Sequence, residues 1–393
     1  MKIVLVIFLA LIFLLMFVVL PLPLPPYWDF QVIYHADLGL LRGIPIYDHT
    51  GQVNMVARMA NVSPDQVYVL PFPYPPWYAL AVLWLALLPI DLAVRLWFGL
   101  NLLMLFTSIW LMTEGWTGYK RLIAFLPPFL FVPVLGTLLV GQYVFPVLLG
   151  AALWVYAVEK EKPVWIALAS ALLTFKPHLG ALILLAGLLY FVLRKDSFGY
   201  RALIYMVITG VLLLALGFIA DPAWPLNYFH SLLAFRQVPG VPACTLCTSL
   251  PVVIGRFLNG KGGFALVPFF SLVIFIALLT WWGLTRRSVI QYPAALLTLS
   301  VFIVLLVNPY LLNYDFVLLL VPFFVLMKRD RTLIEYLLLV FAYLLPLITL
   351  DFLGRQGNNG FLVSTFILLL MFYRDARQLD VSHSPAYNPG TME

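Results

Sequence analysis

The sequence has 393 residues, of which 63% are hydrophobic and only 10% charged, with a formal net charge of +6. A soluble globular domain carries about 25% charged residues, so this composition excludes a soluble core and fits a chain whose main solvent is lipid. The positive charge does not mark a nucleic-acid binder, because Lys and Arg fall in short clusters between apolar runs rather than on one basic face.

An unbroken apolar run over 3–20 follows Lys2. A signal peptide is one reading. However, Pro21-Leu-Pro-Leu-Pro-Pro26 follows where a small-residue cleavage site would stand, so the run reads as a retained first helix starting in the cytoplasm. Behind it lies a long outer loop, 21–93, that opens Pro25-Pro-Tyr-Trp28-Asp29-Phe-Gln-Val-Ile-Tyr34. Asp29 falls just past the first helix, at the membrane surface and beside Trp28. Partial desolvation there raises the basicity of a carboxylate and suits a general base; the plain alternative is a cap for the next helix. Leu41-Arg-Gly-Ile-Pro-Ile-Tyr47-Asp48 follows, with Gly43 and Pro45 as turn residues. Tyr47 and Tyr74 are either sugar-stacking aromatics or members of an interfacial belt. The apolar run from Pro76 to Ile90 is short, and Asp91 and Arg95 follow it. It is expected to lie along or dip into the outer interface, with Pro73-Tyr-Pro-Pro76 setting its start and Trp77, Tyr78 and Trp84 suiting that position.

Apolar runs then recur over 94–112, 121–139, 143–158, 163–175, 179–193, 201–219, 264–284, 289–307, 311–327, 332–350 and 361–373. With 3–20 they predict an all-α polytopic membrane protein of about 12 transmembrane helices, the shorter ones needing thinning or shielding by neighbours. Starting inside and alternating, the cytoplasmic segments become 113–120, 159–162, 194–200, 285–288, 328–331 and the tail from 374. Counting helix ends, 15 of the 23 basic residues then lie inside, as the positive-inside rule requires. A crossing at 76–90 would invert every later loop and place Lys160, Lys162, Arg286, Arg287 and the 328–331 cluster outside. Residues 1–377 are expected to form one transmembrane domain, and 378–393 a disordered cytoplasmic tail.

The remaining outer segments supply candidate site residues. Gly141-Gln142-Tyr143 falls at a turn between two helices. Lys176 stands in Thr174-Phe-Lys-Pro-His178, between two short apolar runs near membrane depth. An ammonium there costs about 2.5–3.5 kcal/mol, so it needs an anionic partner: a lipid phosphate, or a loop carboxylate if it does not simply snorkel. His178 is a possible second donor or an ordinary interfacial histidine. Arg42, Arg95, Arg236 and Arg256 are further outer cations that could face a phosphate. Asn308-Pro-Tyr-Leu-Leu-Asn-Tyr-Asp315 is an outer turn whose carboxylate could equally cap a helix. A second long outer loop, 220–263, carries Cys244 and Cys247. Two cysteines are too few for a disulfide framework or a complete zinc site, leaving a local disulfide or two free thiols. Phosphate-binding glycine loops, dinucleotide fingerprints and His-Glu-x-x-His are missing from the sequence.

Four segments together resemble glycosyltransferase family 87, the polyprenyl-phosphate-mannose-dependent enzymes of the GT-C superfamily. They are Trp28-Asp-Phe-Gln-Val-Ile-Tyr-His-Ala with Gly43-Ile-Pro-Ile-Tyr-Asp48; Tyr74-Pro-Pro-Trp-Tyr-Ala-Leu with Leu87-Leu-Pro89 and Trp97; Gly141-Gln142; and Lys176-Pro177. Their order and spacing match over roughly 25–195. The resemblance implies a GT-C-type fold with juxtamembrane helices in the first outer loop, and Asp29 as catalytic base. It further implies a polyprenyl-phosphate sugar, mannose first among candidates, passed with inversion to an extracytoplasmic glycan or glycolipid. On that reading Lys176, Arg95, Arg256 and His178 bind the donor phosphate, and Trp28, Tyr34, Tyr47, Asp48, Tyr74 and Gln142 line the substrate cavity. The setting would be the plasma membrane, with the site on its outer face. No cofactor or metal is obligatory, since a phosphate leaves as a stable anion, though a divalent ion is compatible. A polytopic transporter or lipid flippase is the competing class; it predicts paired, interrupted helices with ionisable groups at mid-depth.

Overall fold

The computed structural model describes residues 14, 28–237, 247–259, 266–285, 292–353 and 359–382. The expected first helix, Cys244, Arg286 and Arg287, and the tail beyond 382 lie outside the described residues, as do the side chains of Trp28 and Arg236. Among the described residues the fold is all-helical, with no strand.

The first outer loop folds as α1 (Trp28–Leu41), α2 (His49–Ala60) and α3 (Pro76–Val82). Then come α4 (Ile90–Met112), α5 (Gly118–Ile123), α6 (Leu126–Leu130), α7 (Val132–Val140), α8 (Val144–Glu159), α9 (Pro163–Leu173), α10 (Pro177–Arg194) and α11 (Ser197–Ala220). The second loop carries α12 (Trp224–Gln237) and α13 (Leu250–Asn259). The chain closes with α14 (Val267–Thr285), α15 (Pro293–Val307), α16 (Leu320–Met327), α17 (Leu333–Leu353) and α18 (Asn359–Ser382). Almost all of α15 is buried, as suits a helix apolar on every side, and it forms the centre of the bundle. By contrast α11 turns Val207, Val211, Leu212 and Ile219 outward, an apolar surface that only lipid or another apolar partner satisfies.

Four described helices are long and apolar enough to cross a membrane: α4, α10, α11 and the Leu333–Leu350 stretch of α17. A fifth crossing is available if the bent α5–α7 segment counts as one span. The spans expected over 143–158, 163–175, 264–284, 289–307 and 311–327 form apolar helices of 10–17 residues, so the dozen crossings read from the sequence are not matched by helix length among the described residues. At 1.5 Å per residue such helices reach only about 15–25 Å. The single span expected over 121–139 bends by 59° between α6 and α7. Pro127, Pro128 and Pro133 account for the break, since each removes a backbone donor and crowds the preceding turn. The 76–90 run is too short to cross: α3 gives way after Val82 to a 3-10 turn, Leu83–Leu87, with Tyr78, Ala79 and Leu85 buried and Trp84 exposed. The last helix runs on to Ser382, beyond the point where disorder was expected. Cys247 is buried and disulfide-bonded, which removes the free-thiol alternative.

Candidate active site

Three separate stretches of chain meet at one cavity of about 550 Å³. Its wall includes Asp29 and Val32 of α1, Tyr74, Gln142, Lys176 and His178, then Tyr228 and Phe235 of α12, and Tyr310 and Tyr314. Each polar group is presented by a specific local device. Asp29 lies in the first turn of α1, and the Tyr143 hydroxyl donates to its main-chain carbonyl, tying the outer loop to the start of α8. Gly141 ends α7 at a φ of 71°, a left-handed position that glycine takes at least cost, and turns Gln142 inward. Lys176 occupies the turn between α9 and α10. That turn is tight: a Cβ on Gly180 would stand 1.9 Å from the Leu173 carbonyl oxygen. Trp77 of α3 donates to Thr174 in the same turn, at 2.9 Å.

Lys176 is almost wholly buried, and its ammonium is matched by three groups. Its Nζ lies 2.5 Å from Asp315 Oδ1 and 3.1 Å from Gln142 Oε1, with the Tyr314 ring centre 4.7 Å away. Asp315 is the loop carboxylate that the sequence left as a turn or a cap, and it does both jobs: its Oδ2 accepts the Leu312 N–H at 2.9 Å. The Asp29 carboxylate shares the cavity wall with the Gln142 amide. Burial pushes its pKa above the ordinary carboxylate value; the nearby Gln142 amide and the Lys176 charge pull it back, and the Asp315 charge adds to the rise. His178 opens its ring into the cavity, edge-on to Tyr310 at 6.3 Å, while its carbonyl accepts from Asn308 at 2.9 Å.

Other expected site residues are placed elsewhere. Arg95 is buried along α4 and does not line the cavity. Arg256 donates to the Cys247 carbonyl at 3.0 Å, within the second loop. Asp48 caps α2, accepting the Gly51 N–H at 2.9 Å. Tyr34 is buried, with its hydroxyl on the Leu88 carbonyl at 2.9 Å. Tyr47 stands behind the wall, its hydroxyl 2.9 Å from the carbonyl of Tyr74. Asp48, Tyr34 and Tyr47 share a cause: residues of the first outer loop, close to the site in sequence, were used to build the loop itself. Among the described residues no group of three or more His, Cys, Asp or Glu side chains is placed to hold a metal ion.

A family model described as glycosyltransferase family 87 matches residues 72–309. The chain matches no curated protein and no solved structure. The matched stretch covers more than half of the chain and takes in Tyr74, Gln142, Lys176 and His178; Asp29 and Asp315 flank it on either side. With its apolar, membrane-capable helices, the chain belongs to glycosyltransferase family 87 and is a membrane glycosyltransferase.

Proposed function

We propose that this enzyme moves a single sugar, mannose first among candidates, from a polyprenyl phosphate to a hydroxyl of a glycan or glycolipid. The observation that carries the reading is a carboxylate and an ammonium on one cavity wall, with the ammonium bonded to the Gln142 amide that lines the same wall. Asp29 takes the proton of the acceptor hydroxyl as that oxygen attacks the anomeric carbon. The bond from that carbon to the phosphate oxygen breaks on the opposite face, so the centre inverts, and polyprenyl phosphate departs. A glycosidase needs a second carboxyl to protonate its alkoxide leaving group; a phosphate anion does not. Lys176 and His178 stabilise the negative charge that grows on the departing phosphate. Tyr74, Tyr228, Tyr310 and Tyr314 offer aromatic faces and edges to the sugar rings. A GT-C-type arrangement with about 12 crossings, the site on the outer face of the plasma membrane, would let the donor arrive from the bilayer.

The family is one of transferases, so transport without glycosyl transfer is not carried forward. The test is transfer of radiolabelled mannose from a short-chain polyprenyl-phosphate mannose by the purified protein. Asp29→Asn is expected to lower kcat by about 10²–10⁴-fold, the usual contribution of a general base, at an unreduced melting temperature. Activity near the wild-type rate in that variant would remove Asp29 from the mechanism.

A further inference from the structure

Asp315 lies outside the family match, and the transfer chemistry above does not use it. Its two oxygens are both committed, Oδ1 to the Lys176 ammonium and Oδ2 to the Leu312 N–H, so it is a fixed anchor rather than a movable arm. Lys176 in turn donates to Gln142 Oε1, which also accepts the Tyr143 N–H at 3.0 Å. Neither of those partners can accept a hydrogen bond, so the amide has only one possible orientation, with its NH2 facing the other way. That turns the NH2 towards Asp29 and Tyr74, which line the same cavity wall.

We propose that Asp315 is a positioning residue for the transfer, fixing Lys176, which fixes the Gln142 amide, which presents its N–H to Asp29. The chain of contacts makes the phosphate-binding cation and the base one unit. Two of the three lysine protons are held by Asp315 and Gln142, which leaves one to meet an oxygen of the donor phosphate in the cavity. The inference rests on Asp29 being the base and Lys176 the phosphate ligand, as read above.

The pH dependence of kcat/KM tests the relay, because its acid limb reports the base of the free enzyme. The groups acting on Asp29 are Lys176 from the α9–α10 turn, Asp315 and Tyr314 from the 3-10 turn Asn313–Leu319, Tyr310 just before it, Tyr74 ahead of α3 and Tyr143 at the start of α8; His178 lines the same cavity. In Asp315→Asn the relay releases Lys176 and the Gln142 amide, both of which hold the Asp29 pKa down, so the acid limb moves to higher pH and kcat falls on the order of 100-fold as the ammonium loses its aim. In Gln142→Leu the pull of the amide on Asp29 is gone, so the limb again moves to higher pH. Asp315→Glu restores the charge and is expected to bring the limb back towards the wild-type position. Loss of the Asp315 charge with Lys176 and Gln142 still in place would instead move the limb to lower pH, so a downward shift in Asp315→Asn rejects the relay. A limb unmoved in Gln142→Leu and in whichever Asp315 variant folds, with wild-type transfer normal, overturns the relay alone. Absence of transfer by the wild type overturns the proposed reaction instead. In that case the Asp29 carboxyl band, identified by infrared difference against Asp29→Asn, is titrated in the same variants without turnover, and an unshifted band rejects the relay.

Discussion

Two clusters of buried charge sit at the two ends of the helical segment Asn313–Met327, and they are built differently. Beyond its end, Arg331 forks onto Asp375 at 2.9 and 2.5 Å and donates to the Leu326 carbonyl, while Glu335 bonds Thr332 and pairs with Arg374. Two cations face two carboxylates there, and each has a partner in another helix. At its start, a single ammonium faces two carboxylates, Asp315 and Asp29, on the wall of a cavity. The first cluster is electrically closed and staples α16, α17 and α18. The second has one cation for two acids beside an open cavity; burial is what raises the basicity of Asp29, and the Asp315 charge adds to it.

The contrast can be broken at either end. Arg331→Met strips the cation from the closed cluster and strands Asp375, which is expected to cost about 3–5 kcal/mol. The measurement is the melting temperature in detergent alongside transfer per folded molecule: the first should drop and the second should hold. A fall in kcat at an unchanged melting temperature would mean that the closed cluster also serves the chemistry. Next in size is Gly180→Ala, whose new methyl meets the Leu173 carbonyl oxygen. Overpacking of this kind costs about 1–3 kcal/mol, and because it opens the turn that holds Lys176, donor KM should rise together with the loss of stability. A rise in melting temperature would show that the turn has slack.

The smallest effect concerns Asp37, buried in α1 with Oδ1 lacking a hydrogen-bond partner. Burial pushes its pKa well above the ordinary value, so the folded protein holds a proton that the unfolded chain releases above about pH 4. The stability this group provides is present at low pH and lost as pH rises. Asp37→Asn should therefore raise the melting temperature slightly at pH 7.5, with the gain fading towards pH 4. His35 beside it, its pKa held down to about 4 by burial, acts in the opposite sense in both proteins and cancels from the difference.

Helices were legible because long apolar runs bounded by Pro, Gly and clustered cations leave few other readings. The run over 121–139 shows the limit of that signal, since hydropathy registers its length while Pro127, Pro128 and Pro133 decide its shape. Lys176 was legible as a cation in need of an anion. Its partner was not, for Asp315 lies 139 residues away in a turn that had a sufficient local explanation as a cap. Gln142 reads as a polar turn residue and, through the resemblance, as part of the cavity lining; its contact with Lys176 was not legible, since the two come together only in the fold. Arg95 and Arg256 were credited with the cavity on charge and sidedness alone, and neither property carries direction.

The cavity wall draws on residues 29–74, 142–178 and 228–314, and the family match begins and ends inside that span. A fragment trimmed to the matched boundaries would keep its lysine and surrender both acids. On the proposed mechanism such a truncation would retain the phosphate ligand without the base, so a minimal version of this enzyme is better cut well outside the borders that homology draws.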